Sequence, residues 1–356
     1  MYRDLQPRDR ALALLAALAC CSYPATTAAA AAGSWHTAAP MAVKRQYLGV
    51  GVLNGTLYAM GGFDYPNYPT SVEAYSSATN TWALAANMLV PRFNVGVGVL
   101  GGVLYAVGGA RGRSNGTAFP LASVEAYHPA NDSWALVAPM TEKRDGPGVG
   151  VLGGLLYAVG GQNDDGFEGH QILMSVEAYN PATNTWAGHN LIAPMHERRS
   201  SMGVGVLGGL LYAVGGTSGD FYLASVEVYH PGTNTWTLVA PMSVNRVNLG
   251  VGVSGGLLYA AGGVGMEDPF NSLASVEAYN PATNSWALVA PMSVGREGLG
   301  VGVLGGMLFA AGGFNINVGN GYLASVEAYH PGNDSSSEGG RAYPGRAAVA
   351  APAFHL

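Results

Sequence analysis

Six arginines at equivalent positions are the side chains of this sequence best suited to binding a charged group. Each precedes a Gly-Gly doublet by sixteen residues, and the six are Arg45, Arg92, Arg144, Arg199, Arg246 and Arg296. A ring of guanidinium groups would suit an acidic ligand. Each repeat also holds one glutamate in an apolar segment: Glu73, Glu125, Glu177, Glu227, Glu277 and Glu327. A carboxylate packed between strands is costly without a partner, so a structural Arg–Glu pair in every repeat is the alternative.

The other side chains capable of chemistry do not converge on a site. The eight histidines lie in different repeats or loops without metal-ligand spacing. The only cysteines, Cys20 and Cys21, precede the repeats. The densest acidic group fits a solvated loop better than a cation site, and it comprises Asp164, Asp165 and Glu168. No nucleophile elbow, phosphate loop or dinucleotide fingerprint occurs in a suitable context. The sequence therefore predicts a protein without metal, cofactor or catalytic activity.

The composition narrows the class of partner. Charged residues make up 11% of the chain, and the formal net charge is −6. A net negative chain with few basic residues is a poor candidate for binding nucleic acid. No apolar run reaches the roughly 18 residues that a membrane-spanning helix requires. We therefore expect neither a nucleic-acid partner nor a transmembrane segment.

The chemistry-bearing residues belong to a unit of about fifty residues that recurs along the chain. In the copy that begins at Arg144, short apolar segments at 148–152, 155–159 and 175–179 alternate with turns, and Trp186 opens a fourth segment that ends at Met195. Short strands separated by Gly, Pro and Asn turns indicate a four-stranded antiparallel meander. Radial stacking of such sheets buries their faces, as in a propeller. The first strand of each copy carries two glycines, which predicts close backbone approach at a central axis.

Two aromatic residues complete the repeat and point to a family. A tyrosine and a tryptophan stand seven positions apart in five copies: Tyr75/Trp82, Tyr127/Trp134, Tyr179/Trp186, Tyr229/Trp236 and Tyr279/Trp286. Together with the Gly-Gly doublets, these residues resemble the kelch repeat, most closely that of Kelch-like proteins. The resemblance covers residues 34 to about 332. It implies an all-β fold, namely a six-bladed kelch β-propeller with four-stranded antiparallel blades.

The last repeat lacks its own fourth strand. Seven residues after Tyr329 stands Ser336 instead of tryptophan. The missing pattern occurs near the start of the chain, where Trp35 precedes Ala-Pro-Met at 39–41. We therefore predict that residues 34–41 pair with the third strand of the last repeat, so that the last blade is closed by the N-terminal strand around Trp35 and no blade edge stays open.

The predicted propeller, residues 34–335, is flanked by two segments of different composition. Residues 1–33 form an Ala-rich leader or a signal peptide, whose apolar part would be residues 11–30. The protein would be secreted if this is a signal peptide and cytoplasmic otherwise. Residues 336–356 are predicted to be a disordered tail. Four Asn-X-Ser/Thr sequons would matter in a secretory compartment, and they begin at Asn54, Asn115, Asn131 and Asn333.

The loops between second and third strands differ in sequence and length from copy to copy, whereas the strands repeat. In a meander these loops emerge on the same face as the connections that carry the arginines, and variable loops on a uniform scaffold are where recognition usually resides. Besides the six arginines, the predicted ligand-binding residues on this face are Tyr65, Asn94, Arg111, Arg113, Ser200, Phe221, Tyr222, Asn248, Phe314 and Asn315.

The resemblance implies a non-catalytic protein-interaction module that binds a protein or peptide ligand on the loop face. In Kelch-like proteins this face selects substrates for a cullin-type ubiquitin ligase, and BTB and BACK domains precede the repeats. Only 34 residues precede Trp35 here. A ligase role would then require a separate ligase component, or the role has been lost, or the gene model is truncated.

Two other functions stay open at the level of sequence. Some kelch-type propellers act on sugars, and a secreted chain with sequons would suit a carbohydrate-binding or carbohydrate-modifying propeller. Against this alternative, the sequence shows no Tyr/His copper set and no catalytic signature. A cytoskeletal or scaffold role is the third possibility, and no residue selects it.

Overall fold

The computed structural model describes residues 33–112, 118–164, 170–188 and 191–332. Within these ranges the regular structure consists of strands, without a helix, and it forms six four-stranded sheets and two two-stranded sheets. The described residues therefore contain no helix that could cross a membrane. The arrangement is the predicted six-bladed, all-β propeller.

The strands follow one another in a regular order. The chain enters on β1 (Ser34–Ala38). Blade 1 comprises β2 (Gly49–Leu53), β3 (Thr56–Met60), β4 (Val72–Ser76) and β5 (Thr81–Ala85). Blade 2 comprises β6 (Gly96–Leu100), β7 (Val103–Val107), β10 (Val124–His128) and β11 (Ser133–Val137), with β8 (Ala110–Gly112) and β9 (Ala118–Pro120) in its loop. Blade 3 comprises β12 (Gly148–Leu152), β13 (Leu155–Val159), β16 (Val176–Asn180) and β17 (Thr185–Ala187), with β14 (Gln162–Asp164) and β15 (His170–Ile172) in its loop.

The remaining three blades repeat the pattern. Blade 4 comprises β18 (Gly203–Leu207), β19 (Leu210–Val214), β20 (Val226–His230) and β21 (Thr235–Val239). Blade 5 comprises β22 (Gly250–Ser254), β23 (Leu257–Ala261), β24 (Val276–Asn280) and β25 (Ser285–Val289). Blade 6 comprises β26 (Gly300–Leu304), β27 (Met307–Ala311), β28 (Val326–His330) and the entering strand β1.

Each blade is an antiparallel meander whose turns match the sequence pattern. In blade 3, β12 pairs with β13 from Gly148↔Val159 to Leu152↔Leu155. Gly153 and Gly154 join them with φ of 59° and 78°, the left-handed geometry that tight hairpins require. One prediction for this blade was wrong, because its fourth strand spans only Thr185–Ala187 instead of extending from Trp186 to Met195. Gly188 follows this strand at the position where the other blades carry a leucine or threonine.

Glycines in the first strands let neighbouring blades approach one another at the axis. A Cβ added to Gly148 would lie 2.2 Å from Cγ2 of Val204 in the next blade, which is closer than two carbon atoms can pack. The same holds between the last and first blades, where a Cβ on Gly300 would lie 2.2 Å from Cγ2 of Val50. The first strands therefore surround a channel of about 280 Å³ lined by valine and glycine.

The sixth sheet contains strands from both ends of the propeller. Strand β1 pairs with β28 in antiparallel register, from Ser34↔His330 to Ala38↔Val326. The Trp35 ring packs 5.1 Å from that of Tyr329, and its Nε1 donates a 2.8 Å hydrogen bond to the carbonyl of Ala290 in blade 5. The other blades use the same inter-blade bond, from Trp82 to Ala39, Trp134 to Ala86, Trp186 to Ala138, Trp236 to Ala193 and Trp286 to Ala240.

In blades 1 to 5, an asparagine or aspartate two positions before the tryptophan joins the blade to the preceding one by hydrogen bonds. Oδ1 of Asn80 accepts hydrogen bonds from the Tyr75 hydroxyl (2.9 Å) and from the Ala39 amide of the preceding blade (2.8 Å). Blade 2 places an aspartate at this position. Asp132 accepts from Tyr127 and from the Ala86 amide, both at 2.8 Å. These two donors hold the pKa of Asp132 below its ordinary value.

Asp132→Asn is expected to remove an acid-sensitive contribution to stability. Because the folded-state pKa is lowered, the aspartate stabilises the fold above its ordinary pKa of about 3.9, and this contribution is lost as the pH falls through the folded-state value. The advantage of wild type over Asp132→Asn in melting temperature should therefore be constant above about pH 5 and shrink as the pH falls further. Asn184→Asp at the same position of blade 3 should introduce the same acid-sensitive contribution in that blade. Parallel pH profiles for all three proteins would contradict the assignment.

Candidate functional site on the loop face

The loops between second and third strands lie beside the connections that carry the arginines. Six equivalent bridges join the residue after each arginine to the residue after each Gly-Gly doublet: Gln46–Phe63, Phe93–Ala110, Asp145–Gln162, Ser200–Thr217, Val247–Val264 and Glu297–Phe314. We call the face formed by these loops and connections the loop face. The hairpins between first and second strands lie on the opposite face, where Ser34 of β1 and His330 of β28 are also paired.

The arginines lie beneath the loop face, with at most 1% of their surface exposed. In blade 4, Nη1 of Arg199 donates to the carbonyls of Gly215 and Ser225, both at 3.0 Å. The arginine of each of the other blades bonds to the first glycine of its own doublet in the same way. The sixteen-residue spacing therefore brings each guanidinium to the carbonyl at the end of the second strand.

Each buried arginine also pairs with the glutamate of its own blade. The Nη2–Oε1 distances are between 2.9 and 3.1 Å in the pairs Arg45–Glu73, Arg92–Glu125, Arg144–Glu177, Arg199–Glu227, Arg246–Glu277 and Arg296–Glu327. In blade 5, burial lowers the pKa of Arg246, and the neighbouring Glu277 opposes this effect. The structural pairing is confirmed. The cationic ring named among the ligand-binding residues is thus not available at the surface, because the guanidinium groups are buried and their charges are matched.

The centre of the loop face is an opening that we call the axial mouth. It is formed by the residue two positions after each arginine, and all six have left-handed φ values: Tyr47, Asn94, Gly146, Ser201, Asn248 and Gly298. Backbone hydrogen bonds of 2.7–3.2 Å run from each of these amides to the carbonyl of the equivalent residue in the preceding blade, and Tyr47 N to Gly298 O completes the ring. The mouth encloses a cavity of about 150 Å³.

Polar side chains and carboxylates surround the axial mouth. Nδ2 of Asn248 lies 3.4 Å from the Tyr47 hydroxyl and 3.3 Å from Oε2 of Glu297, so Tyr47 of blade 1 contacts a residue two positions away in the ring. Burial raises the pKa of Glu297. Burial, followed by the charges of Glu297 and Asp145, also raises the pKa of Tyr47. The charged side chain in contact with the residues of the mouth is therefore the carboxylate of Glu297 and not one of the buried arginines.

An aromatic cluster spans the loops of blades 6, 1 and 2. The ring of Phe63 is its centre, with centroid distances of 5.0 Å to Tyr68, 5.6 Å to Tyr322, and 6.2 Å to both Tyr65 and Phe93. Phe314 joins the cluster through Tyr322, at 5.2 Å. These contacts hold the three loops against one another and bury part of each ring.

Large apolar side chains are exposed on the loops of blades 4, 5, 6 and 1. We call this set the apolar sector, and it consists of Tyr65 (74% exposed), Phe221 (60%), Met266 (46%), Phe270 (79%), Ile316 (57%) and Val318 (40%). The predicted residues Tyr65 and Phe221 belong to it. The half-buried Tyr222 and Phe314 lie below the surface of the same loops. Exposed apolar residues grouped in this way mark an interaction surface more often than single exposed residues do.

The loops of blades 2 and 3 have a different character. Each contains a short hairpin, β8–β9 or β14–β15, which the sequence analysis did not predict. The exposed Arg111 lies 5.5 Å from the ring centroid of Phe119, and Nζ of Lys143 lies 4.6 Å from it. Two cations therefore lie around one ring in blade 2. Arg113, which was also predicted to bind a ligand, lies outside the described residues.

Four predicted polar site residues divide into two pairs. Asn94 and Asn248 belong to the ring of the axial mouth. Ser200 and Asn315 are only 3% and 8% exposed, so they are corrected to supporting residues. Asn315 donates from Nδ2 to the carbonyl of Gly295 (2.7 Å) and accepts from the amide of Asn317 (2.9 Å), which fixes its own loop.

Several residues of the face were not predicted from the sequence. Tyr47, Phe93 and Val318 are among them, because each differs from its counterparts in the other repeats. The mouth could have been predicted from the position two residues after each arginine, which holds Asn or Gly in four of the six repeats. Within the described part of the chain, no three His, Cys, Asp or Glu side chains are grouped so that they could hold a metal ion.

Six radially arranged four-stranded sheets with one face of variable loops define a repeat propeller of the kelch type. The profile of the Kelch motif matches residues 44–89, 91–141, 143–187, 198–243 and 245–293. The chain therefore belongs to the kelch-repeat family. The matched segments end before the sixth repeat, which takes its fourth strand from β1.

Curated relatives and a solved structure agree with this assignment. The chain is 42% identical over 116 residues to Kelch-like protein 28 of Homo sapiens, a match covering 32% of this chain and 20% of that protein. It is 39% identical over 99 residues to Kelch-like ECH-associated protein 1B of Danio rerio, covering 28% and 16%. These matches thus span a fifth or less of the relatives' lengths. The solved structure titled "Structure of YjhT" shares the fold, with a TM-score of 0.69, 17% identity, and coverage of 81% of this chain and 95% of that chain.

Proposed function

We propose that the loop face binds a protein or peptide partner, with the apolar sector as its main contact surface. The observation that carries this proposal is the exposure of Tyr65, Phe221 and Phe270 on loops that differ between blades, while the residues beneath them repeat. Large aromatic side chains of this kind supply most of the binding energy in many protein interfaces. The similarity to Kelch-like proteins supports an interaction module rather than an enzyme.

The face also has the rigidity that tight binding requires. The loops of blades 5 and 6 are joined by hydrogen bonds from Ser272 Oγ to the Phe314 carbonyl (2.8 Å) and from Asn317 Nδ2 to Asn271 Oδ1 (3.0 Å). The aromatic cluster joins blade 6 to blade 1. A surface that is already ordered loses less conformational entropy on binding. The exposed rings therefore belong to loops that contacts with neighbouring loops already order before a partner binds.

The triple variant Tyr65→Ser/Phe221→Ser/Phe270→Ser is expected to lower partner capture at least tenfold, because each anchor in such a surface contributes about 2 kcal/mol or more. The measurement is quantitative affinity capture with the folded protein as bait. The matched control is Leu84→Ser/Leu136→Ser/Leu238→Ser, which removes exposed leucines from the outer edges of three blades. Equal capture by both variants would contradict a role for the loop face. Retention of glycans instead of proteins would favour the carbohydrate-binding alternative.

A finer role follows from the resemblance to Kelch-like proteins. In this role the loop face selects a substrate for a ubiquitin ligase, and a separate ligase component binds elsewhere on the protein. The same capture experiment tests this ligase role. Recovery of a cullin with both the triple variant and wild type would indicate a ligase contact outside the loop face. Capture of the partner without any cullin would leave the interaction module without a ligase role.

A further inference from the structure

We propose that the partner segment bound by the loop face is basic and amphipathic, with apolar side chains on the apolar sector and lysines or arginines beside the carboxylates that border this sector. This inference rests on the proposed function and adds the chemistry of the partner. The spacing of the arginines suggested an acidic ligand, whereas the segment proposed here is basic. The difference arises because those arginines are buried against glutamates.

The apolar part of the surface continues across three adjacent blades. Phe270 and Met266 are exposed on the loop of blade 5, Ile316 on the loop of blade 6 and Tyr65 on the loop of blade 1. These loops are connected by the Ser272–Phe314 hydrogen bond and by the packing of Phe63 on Tyr322. A partner segment that contacts several of these side chains must itself present apolar residues on one side.

Carboxylates border the apolar side chains. Asp220 precedes Phe221, Glu267 follows Met266, and both carboxylates are exposed. Asp268 is also exposed, with its Oδ2 accepting a 2.7 Å hydrogen bond from Asn271 of the same loop. Asp64 precedes Tyr65 and is half-buried. These four acids, Asp64, Asp220, Glu267 and Asp268, form what we call the acidic rim.

Few cations oppose the acidic rim in this part of the loop face. On the blade 4 to blade 1 side, positive charge is carried by the exposed Arg198 and by Lys44, whose Nζ donates to Asn320 Oδ1 at 2.8 Å. Complementary charge increases the association rate and selects against partners of the wrong sign. The apolar sector is therefore matched to a segment that carries basic residues between its apolar ones.

The cations of blade 2 belong to a loop that carries none of the side chains of the apolar sector. Arg111 and Lys143 both contact Phe119 in the hairpin loop of blade 2, whose Gly112 packs against the ring of Tyr68 in the blade 1 loop. An acidic partner would find its complement on this hairpin, whereas the side chains of the apolar sector and the carboxylates of the acidic rim share the loops of blades 4, 5 and 1. This distribution favours a basic segment over an acidic one.

The test uses two synthetic fluorescent peptides that share the same pattern of leucine and phenylalanine. The basic peptide has lysine at every polar position, and its acidic twin has glutamate there. In fluorescence anisotropy with the full chain, the basic peptide is expected to bind at least tenfold more tightly in 50 mM salt, and the preference should weaken in 200 mM salt because exposed charges are screened. Circular dichroism of each variant monitors folding.

Two protein variants separate the charge from the apolar contact. Glu267→Gln/Asp268→Asn is expected to reduce the preference for the basic peptide severalfold, whereas Asp132→Asn, on the opposite face, should not. Phe270→Ser is expected to weaken both peptides, and Leu84→Ser neither. Equal or tighter binding of the acidic peptide would overturn the inference while leaving the proposed function intact, provided that Phe270→Ser still weakens it. Binding of neither peptide would also overturn the inference, and the capture experiment would then judge the proposed function separately.

Discussion

Replacement of Arg199 by methionine is expected to lower the free energy of unfolding by about 3–5 kcal/mol, the usual cost of removing one partner from a buried ion pair. Methionine fills similar space but provides no donor. Glu227 would keep its buried charge and the hydrogen bonds from the amides of His196 and Glu197, but it would lose its guanidinium partner. The carbonyls of Gly215 and Ser225 would lose a donor as well. Chemical denaturation followed by tryptophan fluorescence measures the change.

The adjacent Arg198 provides a matched control, because it is exposed whereas Arg199 is 0% exposed. Arg198→Met should change the stability by less than about 0.5 kcal/mol, as surface substitutions usually do. Arg199→Lys should fall between the two, since an ammonium keeps the charge but cannot reach all the acceptors that the planar guanidinium reaches. If Arg199→Met kept the wild-type melting temperature but lost partner binding, Arg199 would instead be a ligand-binding residue.

Deletion of residues 1–41 is expected to lower stability by several kcal/mol and to cause aggregation. The deletion removes the half-buried Trp35, and loss of a fully buried tryptophan costs about 3–5 kcal/mol. It also exposes β28 along its whole edge, because β1 covers that strand from Val326 to His330. Unpaired strand edges promote association between chains. Thermal melting and size-exclusion chromatography with light scattering measure the two effects.

Two controls isolate the contribution of the strand. A synthetic peptide of residues 33–41, added in excess, should restore the melting temperature and the monomeric state of the deleted protein, because it can occupy the exposed edge. In the full chain, Trp35→Ala should reproduce most of the stability loss. His36→Ala, at an exposed position of the same strand, should have little effect. A deleted protein that stays monomeric with an unchanged melting temperature would show that β1 does not stabilise the ring.

The strands could be predicted from the sequence because their constraints repeat. Three features recur in nearly every blade because each meets a packing requirement that is the same in all of them. They are the glycines of the first strand, the Gly-Gly doublet and the Tyr/Trp pair. The Arg–Glu pairing was predictable as one of two alternatives, because six glutamates matched six arginines. Burial decided between the alternatives, and a sequence does not report the burial of a polar side chain.

The functional face was harder to predict because its residues share a position or a conformation rather than an identity. At the axial mouth, Tyr47, Gly146 and Ser201 have the same left-handed backbone despite their different side chains. The exposure of Phe270 and the partial burial of Phe314 depend on how neighbouring loops pack, which no pattern within one repeat records. The predictions that the leader is a signal peptide or Ala-rich segment and that residues 336–356 are disordered concern residues outside those described, and they stay predictions.

The pairing of Ser34 with His330 has a practical consequence for how the protein can be handled and displayed. Strand β1 begins and β28 ends at that pair, on the side away from the variable loops. An affinity tag joined directly to residue 33 or to residue 332 would therefore be attached on the side opposite the loop face and would leave the variable loops uncovered at the point of attachment.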